Sequence, residues 1–196
     1  MKLITNLGGA DSPARTRAPE RGTFRVGAVQ TAWHRDAGEH RATLTAGVEL
    51  AARAGAQMVC LQELTLSPYF AIVPDGAEAL GVAAEPLPGG PTHAFAAELA
   101  ARFGLVVHAS LFEAAGEAEH PSVGAVPAGG GGFNTAIAVG PDGELLARTR
   151  KLHIPISAGY YEDTYFRPGP PGDAYPVYAP EGLGARIGMP TCWDEW

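Results

Sequence analysis

Three residues of different chemistry stand where apolar runs give way to loops. Glu63 follows Gln57-Met58-Val59-Cys60-Leu61-Gln62, Lys151 follows the run that closes on Arg150, and Cys192 follows Ala185-Arg186-Ile187-Gly188-Met189-Pro190-Thr191. A thiolate is the strongest common side-chain nucleophile, and a cysteine at the end of a buried strand is held rigidly where a substrate can reach it. Glu63 opens an apolar and aromatic loop, Leu64 to Phe70, whose wall would desolvate the carboxylate and suit it to general-base work. Lys151 leads into His153-Ile154-Pro155, a proline-stiffened loop that can aim its ammonium at a site. Glu162, in the aromatic stretch Tyr160 to Phe166, can pair with Lys151 and hold that ammonium in place. Each residue also has a plainer reading. Free cysteine is usually an inert buried thiol, and single Glu and Lys side chains are usually solvated. Spacing alone does not bring these residues together.

The elements that would position them can be read in order. Phe24 to Gln30 has strand composition, and ordered structure is expected to begin there. Asp36 is a candidate cap for a helix to about Ala54, with Leu44, Val48 and Ala51 on one face and Gly55 as its stop. With the strand before Glu63, this strand–helix–strand order predicts α/β packing. Asp75 to Gly90 reads as loop with a short helical piece. Thr92 opens a helix to about Phe103, with Gly104 after it. Leu105 to Phe112 is a buried strand ending at Glu113, and His108 inside it reads as a hydrogen-bonded core histidine. Phe133 to Val139 and Glu144 to Arg150 form a hairpin around Pro141-Asp142-Gly143. Tyr175 to Tyr178 is a short edge strand because of Pro176, and the run into Cys192 is a final buried strand. Ala114 to Gly132, with its glycine run from Gly129, reads as a flexible surface loop. It is not a phosphate cradle, because no lysine follows the glycines and a strand, not a helix, comes next.

Length and composition bound the rest. The chain has 196 residues, enough for one domain with a real core. Fourteen basic against 21 acidic side chains give a formal charge of −7, which does not favour nucleic acid as a partner. The two cysteines, Cys60 and Cys192, make no disulfide framework, so a cytoplasmic setting fits best. No apolar run approaches a membrane span. Residues 1–22 are expected to be a flexible leader without the apolar core of a signal peptide, and residues 23–196 the folded domain.

The flanking words resemble a known family. Gln62-Glu63-Leu64 with Pro68-Tyr69-Phe70, Phe133-Asn134-Thr135-Ala136, Arg150-Lys151 with His153-Ile154-Pro155, Phe166-x-Pro168-Gly169, and Cys192-Trp193-Asp194-x-Trp196 resemble, in order, the nitrilase or carbon–nitrogen hydrolase superfamily. The lysine-His-Ile-Pro and Cys-Trp-Asp-x-Trp words are most similar to its N-carbamoylputrescine amidohydrolase branch. The resemblance implies an α/β fold of the nitrilase type, an α-β-β-α sandwich. It implies Cys192 as nucleophile, Glu63 as general base, Lys151 as charge stabiliser and Glu162 as the second glutamate beside the lysine. The expected reaction opens a carbon–nitrogen bond of a linear amide or N-carbamoyl compound through a thioester on Cys192. Lys151 and the backbone N–H of Trp193 would receive the oxyanion. Tyr69, Glu113 and Trp193 are expected to bind substrate, Glu113 by attracting an amine. No metal or organic cofactor enters the scheme, and the full-length protein is expected to be a homo-oligomer.

Three departures stand out: Pro190 interrupts the strand before the nucleophile, the glycine-rich loop before Phe133 is longer than expected, and the chain ends soon after Cys192. The family domain is longer, so the sequence reads as its incomplete N-terminal portion. Alone it is expected to be poorly soluble and weakly active, with an apolar sheet face exposed. Within the family, a nitrilase, a β-ureidopropionase or an ω-amidase remains open. Outside it stand an inactive remnant acting as an interaction module and a papain-like enzyme, in which a histidine replaces Glu63 as base.

Overall fold

The computed structural model describes residues 1–6, 20, 22–116 and 131–195. Its centre is a five-stranded sheet in the order β1 (Val26–Ala28), β2 (Met58–Cys60), β3 (Val106–Glu113), β4 (Phe133–Val139), β5 (Leu145–Arg150). β1, β2 and β3 run parallel, and β3–β4 and β4–β5 are antiparallel. Parallel neighbours need long crossovers, and two helices supply them: α1 (Ala37–Arg53) and α3 (Pro91–Phe103).

Each helix is delimited by local chemistry. Asp36 caps α1 by accepting the Glu39 N–H at 2.7 Å, an interaction worth about 1 kcal/mol. Gly104 ends α3 in the left-handed region at φ 64°, where a side chain would be strained. Alternation along β3 sends Val107, Ala109 and Leu111 toward the helices, where Leu44, Val48 and Leu99 meet them in the main core. The other face carries Val106, Met58, Ala136 and Ala138, covered by Met189 and, at the margin, Tyr178 and Ile187. His108 lies on this second face, half-buried. Burial pulls its pKa below the ordinary histidine value, partly opposed by backbone hydrogen bonding at Leu61. Its Nδ1 has no partner among the described residues.

A third cluster gathers beyond the strand ends. The Phe70 ring stands edge-on to Tyr165 at 5.1 Å and lies 5.4 Å from Phe112. The Tyr165 hydroxyl accepts the Gly76 N–H at 2.6 Å, at the start of the short helix α2 (Gly76–Ala79). These contacts fix α4 (Glu162–Tyr165), a single turn that follows the small ribbon β6 (Ile156–Ser157) and β7 (Tyr160–Tyr161).

Two expected strands are not formed. Tyr175–Tyr178 and Ala185–Thr191 meet in one antiparallel bridge, Tyr178 with Ile187. Pro176 and Pro190 each lack the N–H that a longer ladder would use. Cys192 therefore opens a 3₁₀ turn, Cys192–Glu195, instead of closing a strand. Most of the glycine-rich segment lies outside the described residues, but its end does not. Gly132 bridges to Phe166 and lies so close to the Glu113 carbonyl that a Cβ would sit 2.2 Å from it. The expected leader also falls largely outside the described residues; of its first six, Met1 lies over Gly47 of α1. The described residues form one helical layer on one large sheet and no second large sheet. None of their helices is long and apolar enough to cross a membrane.

Candidate active site

Glu63 begins the turn after β2, and that turn is welded to β3. The Thr65 N–H donates to the Ser110 carbonyl at 2.8 Å, and Ser110 N–H donates back to Thr65 Oγ1 at 3.0 Å. The Leu64 N–H reaches Ser110 Oγ at 3.1 Å, and His40 Nε2 donates to the Thr65 carbonyl at 2.9 Å. Leu64 itself has φ 52°, a left-handed conformation costing on the order of 1–2 kcal/mol for a residue with a Cβ. These hydrogen bonds offset it and turn the Glu63 carboxylate toward β4 and β5. There the buried Asn134 donates its Nδ2 to Glu63 Oε1 at 2.6 Å.

Lys151 directly follows β5, and its own N–H extends the ladder to the Asn134 carbonyl at 2.8 Å. The side chain is 0% exposed. Its Nζ lies 3.3 Å from Glu63 Oε1, and 3.1 Å and 2.8 Å from the two Glu162 oxygens. Glu162 is likewise buried and also accepts the Tyr69 hydroxyl. Burial works to lower the lysine pKa, but Glu63, Glu162 and Cys192 together more than reverse it, so the net shift is upward. Lys151 is therefore an ammonium at every physiological pH. Burial, with Glu63 next, raises the Tyr69 phenol, which stays a neutral donor.

Cys192 is exposed, and its φ of 55° is left-handed; among the described residues, Leu64 and Tyr175 are the other non-glycine residues in that region. All three residues belong to the site or touch it. The Cys192 thiolate is close enough to Lys151 and Tyr69 to raise the pKa of each. Glu63, Lys151 and Glu162 thus meet at one end of the sheet, with Cys192 within electrostatic range of the lysine. Trp193 is beside them, 44% exposed.

Two expected binding residues stand differently. The Tyr69 hydroxyl is engaged by Glu162. Glu113 is 2% exposed, and both its oxygens are occupied. Oε1 accepts from Arg148 at 3.0 Å and Arg150 at 2.7 Å, and Oε2 from Thr135 at 2.6 Å and Arg150 at 2.9 Å. No lone pair is left to attract a substrate amine. Conversely, Asn134 lay inside a recognised word, yet no role was read for it. An amide near the start of a mostly apolar strand was the available signal. Among the described residues, no group of three or more His, Cys, Asp or Glu side chains is arranged to hold a metal ion.

Residues 25–196 match the carbon-nitrogen hydrolase family. An N-carbamoylputrescine amidase of Solanum lycopersicum is 34% identical over 171 residues, covering 87% of this chain and 51% of that protein. A citrullinase of Francisella tularensis is 28% identical over 173 residues, 88% of this chain and 54% of that one. The crystal structure of a carbon-nitrogen hydrolase from Helicobacter pylori aligns with a TM-score of 0.67 at 25% identity, covering 88% of this chain and 53% of that one. The chain spans about half the length of the relatives it matches.

Proposed function

This chain belongs to the carbon–nitrogen hydrolase family, and from that premise we propose that it carries the reacting groups for hydrolysis of a linear N-carbamoyl or amide compound. The single observation that supports this most is the enclosed Lys151 ammonium, which bonds to Glu63 and Glu162 and lies within electrostatic range of Cys192. One cation against two carboxylates leaves an excess negative charge. A proton passed from Cys192 to Glu63 moves one negative charge from the carboxylate to the sulfur and leaves the net charge unchanged, so the thiol is activated without adding charge to the site.

The Cys192 sulfur then bonds to the carbonyl carbon. Negative charge gathers on the carbonyl oxygen, where the Lys151 ammonium and the Trp193 backbone N–H would receive it. Such a donor is worth about 3 kcal/mol in the transition state. The carbon–nitrogen bond breaks as Glu63 returns its proton to the leaving nitrogen. Water attacks the thioester, Glu63 takes a proton from it, and the thiol is restored as the acid departs. Glu162 holds the ammonium in place throughout, and Tyr69 holds Glu162.

A ureido group is the favoured substrate end, because the N-carbamoylputrescine amidase and the citrullinase both bear names of ureido compounds. The test is ammonia release by the recombinant chain from N-carbamoylputrescine, citrulline, N-carbamoyl-β-alanine, a linear ω-amide and a nitrile. Fastest turnover of a carbamoyl amine, abolished by Cys192→Ala, supports the reading. Turnover that survives Cys192→Ala contradicts it.

A further inference from the structure

The turn that carries Cys192 and the loop that carries Lys151 are joined by one carboxylate. The Asp194 side chain is 0% exposed. Its Oδ1 accepts the Leu152 N–H at 3.1 Å and the His153 N–H at 2.9 Å, both in the residues directly after Lys151. Its Oδ2 accepts the Thr191 N–H at 3.5 Å, directly before Cys192. The Tyr175 hydroxyl donates to Oδ1 at 3.1 Å, and His153 Nδ1 lies 3.1 Å from the same oxygen. A buried carboxylate that gathers several N–H donors is held firmly, because losing any donor leaves charge unsolvated.

The backbone on either side is under tension. Cys192 and Tyr175 both hold positive φ, at 55° and 54°. For residues with a Cβ, such conformations persist only where the surroundings over-determine them. The expected strand that would have aimed Cys192 is absent, so another device must do so. We infer that Asp194 is a positioning residue that locks the Cys192 turn onto the Lys151 loop and keeps the sulfur facing the ammonium. The inference rests on the proposed roles of Cys192 and Lys151, but one of its readouts needs no turnover.

That readout is alkylation of Cys192 by iodoacetamide at pH 7 in the full chain, resolved from Cys60 by peptide mass spectrometry. The alkylation rate reads how the sulfur is presented to the reagent and to the groups around it. Asp194→Asn keeps the shape of the side chain but presents an amide N–H to backbone donors. Its Cys192 alkylation rate is expected to fall about tenfold, because the sulfur swings away from Lys151. An Asp194 that acted only as a nearby negative charge would give the opposite sign, since neutralising it favours the thiolate and speeds alkylation. In a turnover assay, kcat is expected to fall at least tenfold while KM moves by no more than about threefold.

An unchanged or faster alkylation rate in folded Asp194→Asn overturns the inference. So does failure of that near-isosteric variant to fold, which would assign the carboxylate to holding the fold and not to aiming the sulfur. Slowed alkylation in a chain that turns over no substrate sustains the positioning role while removing the hydrolase reading.

Discussion

The Lys151 ammonium lies 2.8 Å and 3.1 Å from the two oxygens of Glu162, and neither side chain reaches solvent. Removing one partner of a buried ion pair leaves an uncompensated charge and costs about 3–5 kcal/mol. Lys151→Met is therefore expected to lower unfolding stability by about that amount, read as a shift of the urea midpoint. Lys151→Met/Glu162→Gln together should cost less than the sum of the two single changes, because the second removes the charge stranded by the first. Additive losses would show that the pair is not coupled.

The pH dependence of this pair has a definite sign. Folding raises the Lys151 pKa above the ordinary lysine value of 10.5, so the folded chain holds that proton more tightly than the unfolded one. The resulting stabilisation is complete below pH 10.5 and fades as pH climbs through the higher folded value. The gap in Tm between the parent and Lys151→Met is expected to be constant from pH 7 to about pH 10 and to narrow above it. A gap that narrows between pH 6 and pH 8 would contradict the assignment.

Asn134 donates to Glu63 Oε1 at 2.6 Å from a buried position in β4. Asn134→Ala leaves the carboxylate free to rotate away from the sulfur. Its kcat is expected to fall by about 10–100-fold at a KM within about threefold of the parent. A KM rise at constant kcat would place Asn134 in substrate binding instead.

Glu113 separates a structural part from a binding part. Glu113→Ala takes a buried carboxylate away from the Arg150 guanidinium, while Arg148, 36% exposed, can turn to water. The expected loss is about 3 kcal/mol, at the low end for a broken buried pair, with KM for a carbamoyl amine within about twofold of the parent. A large KM rise in a chain of unchanged stability would restore the substrate-amine role that the sequence suggested.

What the sequence disclosed and what it hid divide along local and long-range lines. Asp36, the Leu44–Val48–Ala51 stripe and Gly55 lie within one helix length, and α1 follows them closely. The same holds for α3 and Gly104. The pairing of Lys151 with Glu162, 11 residues away, was anticipated from the two residue types. The arginine partners of Glu113 are not legible in the sequence because they arrive through two antiparallel pairings, 35 and 37 residues on. The run before Cys192 looks like a strand by composition. Whether it pairs depends on what lies beside it, and among the described residues only Ile187 finds a strand partner. The role of Asp194 is invisible in the sequence, since its donors from Leu152 and His153 lie 42 and 41 residues back.

The central claim is that Glu63 and Cys192 act on one carbonyl as a unit, and non-additive kinetics tests it most directly. Ammonia release from the best carbamoyl substrate is measured for Glu63→Gln, Cys192→Ala and the double variant. The account predicts that each single change brings the rate to about the same residual level and that the double variant is no slower. Losses that multiply, or a Cys192→Ala chain that still releases ammonia at the parental rate, would contradict it.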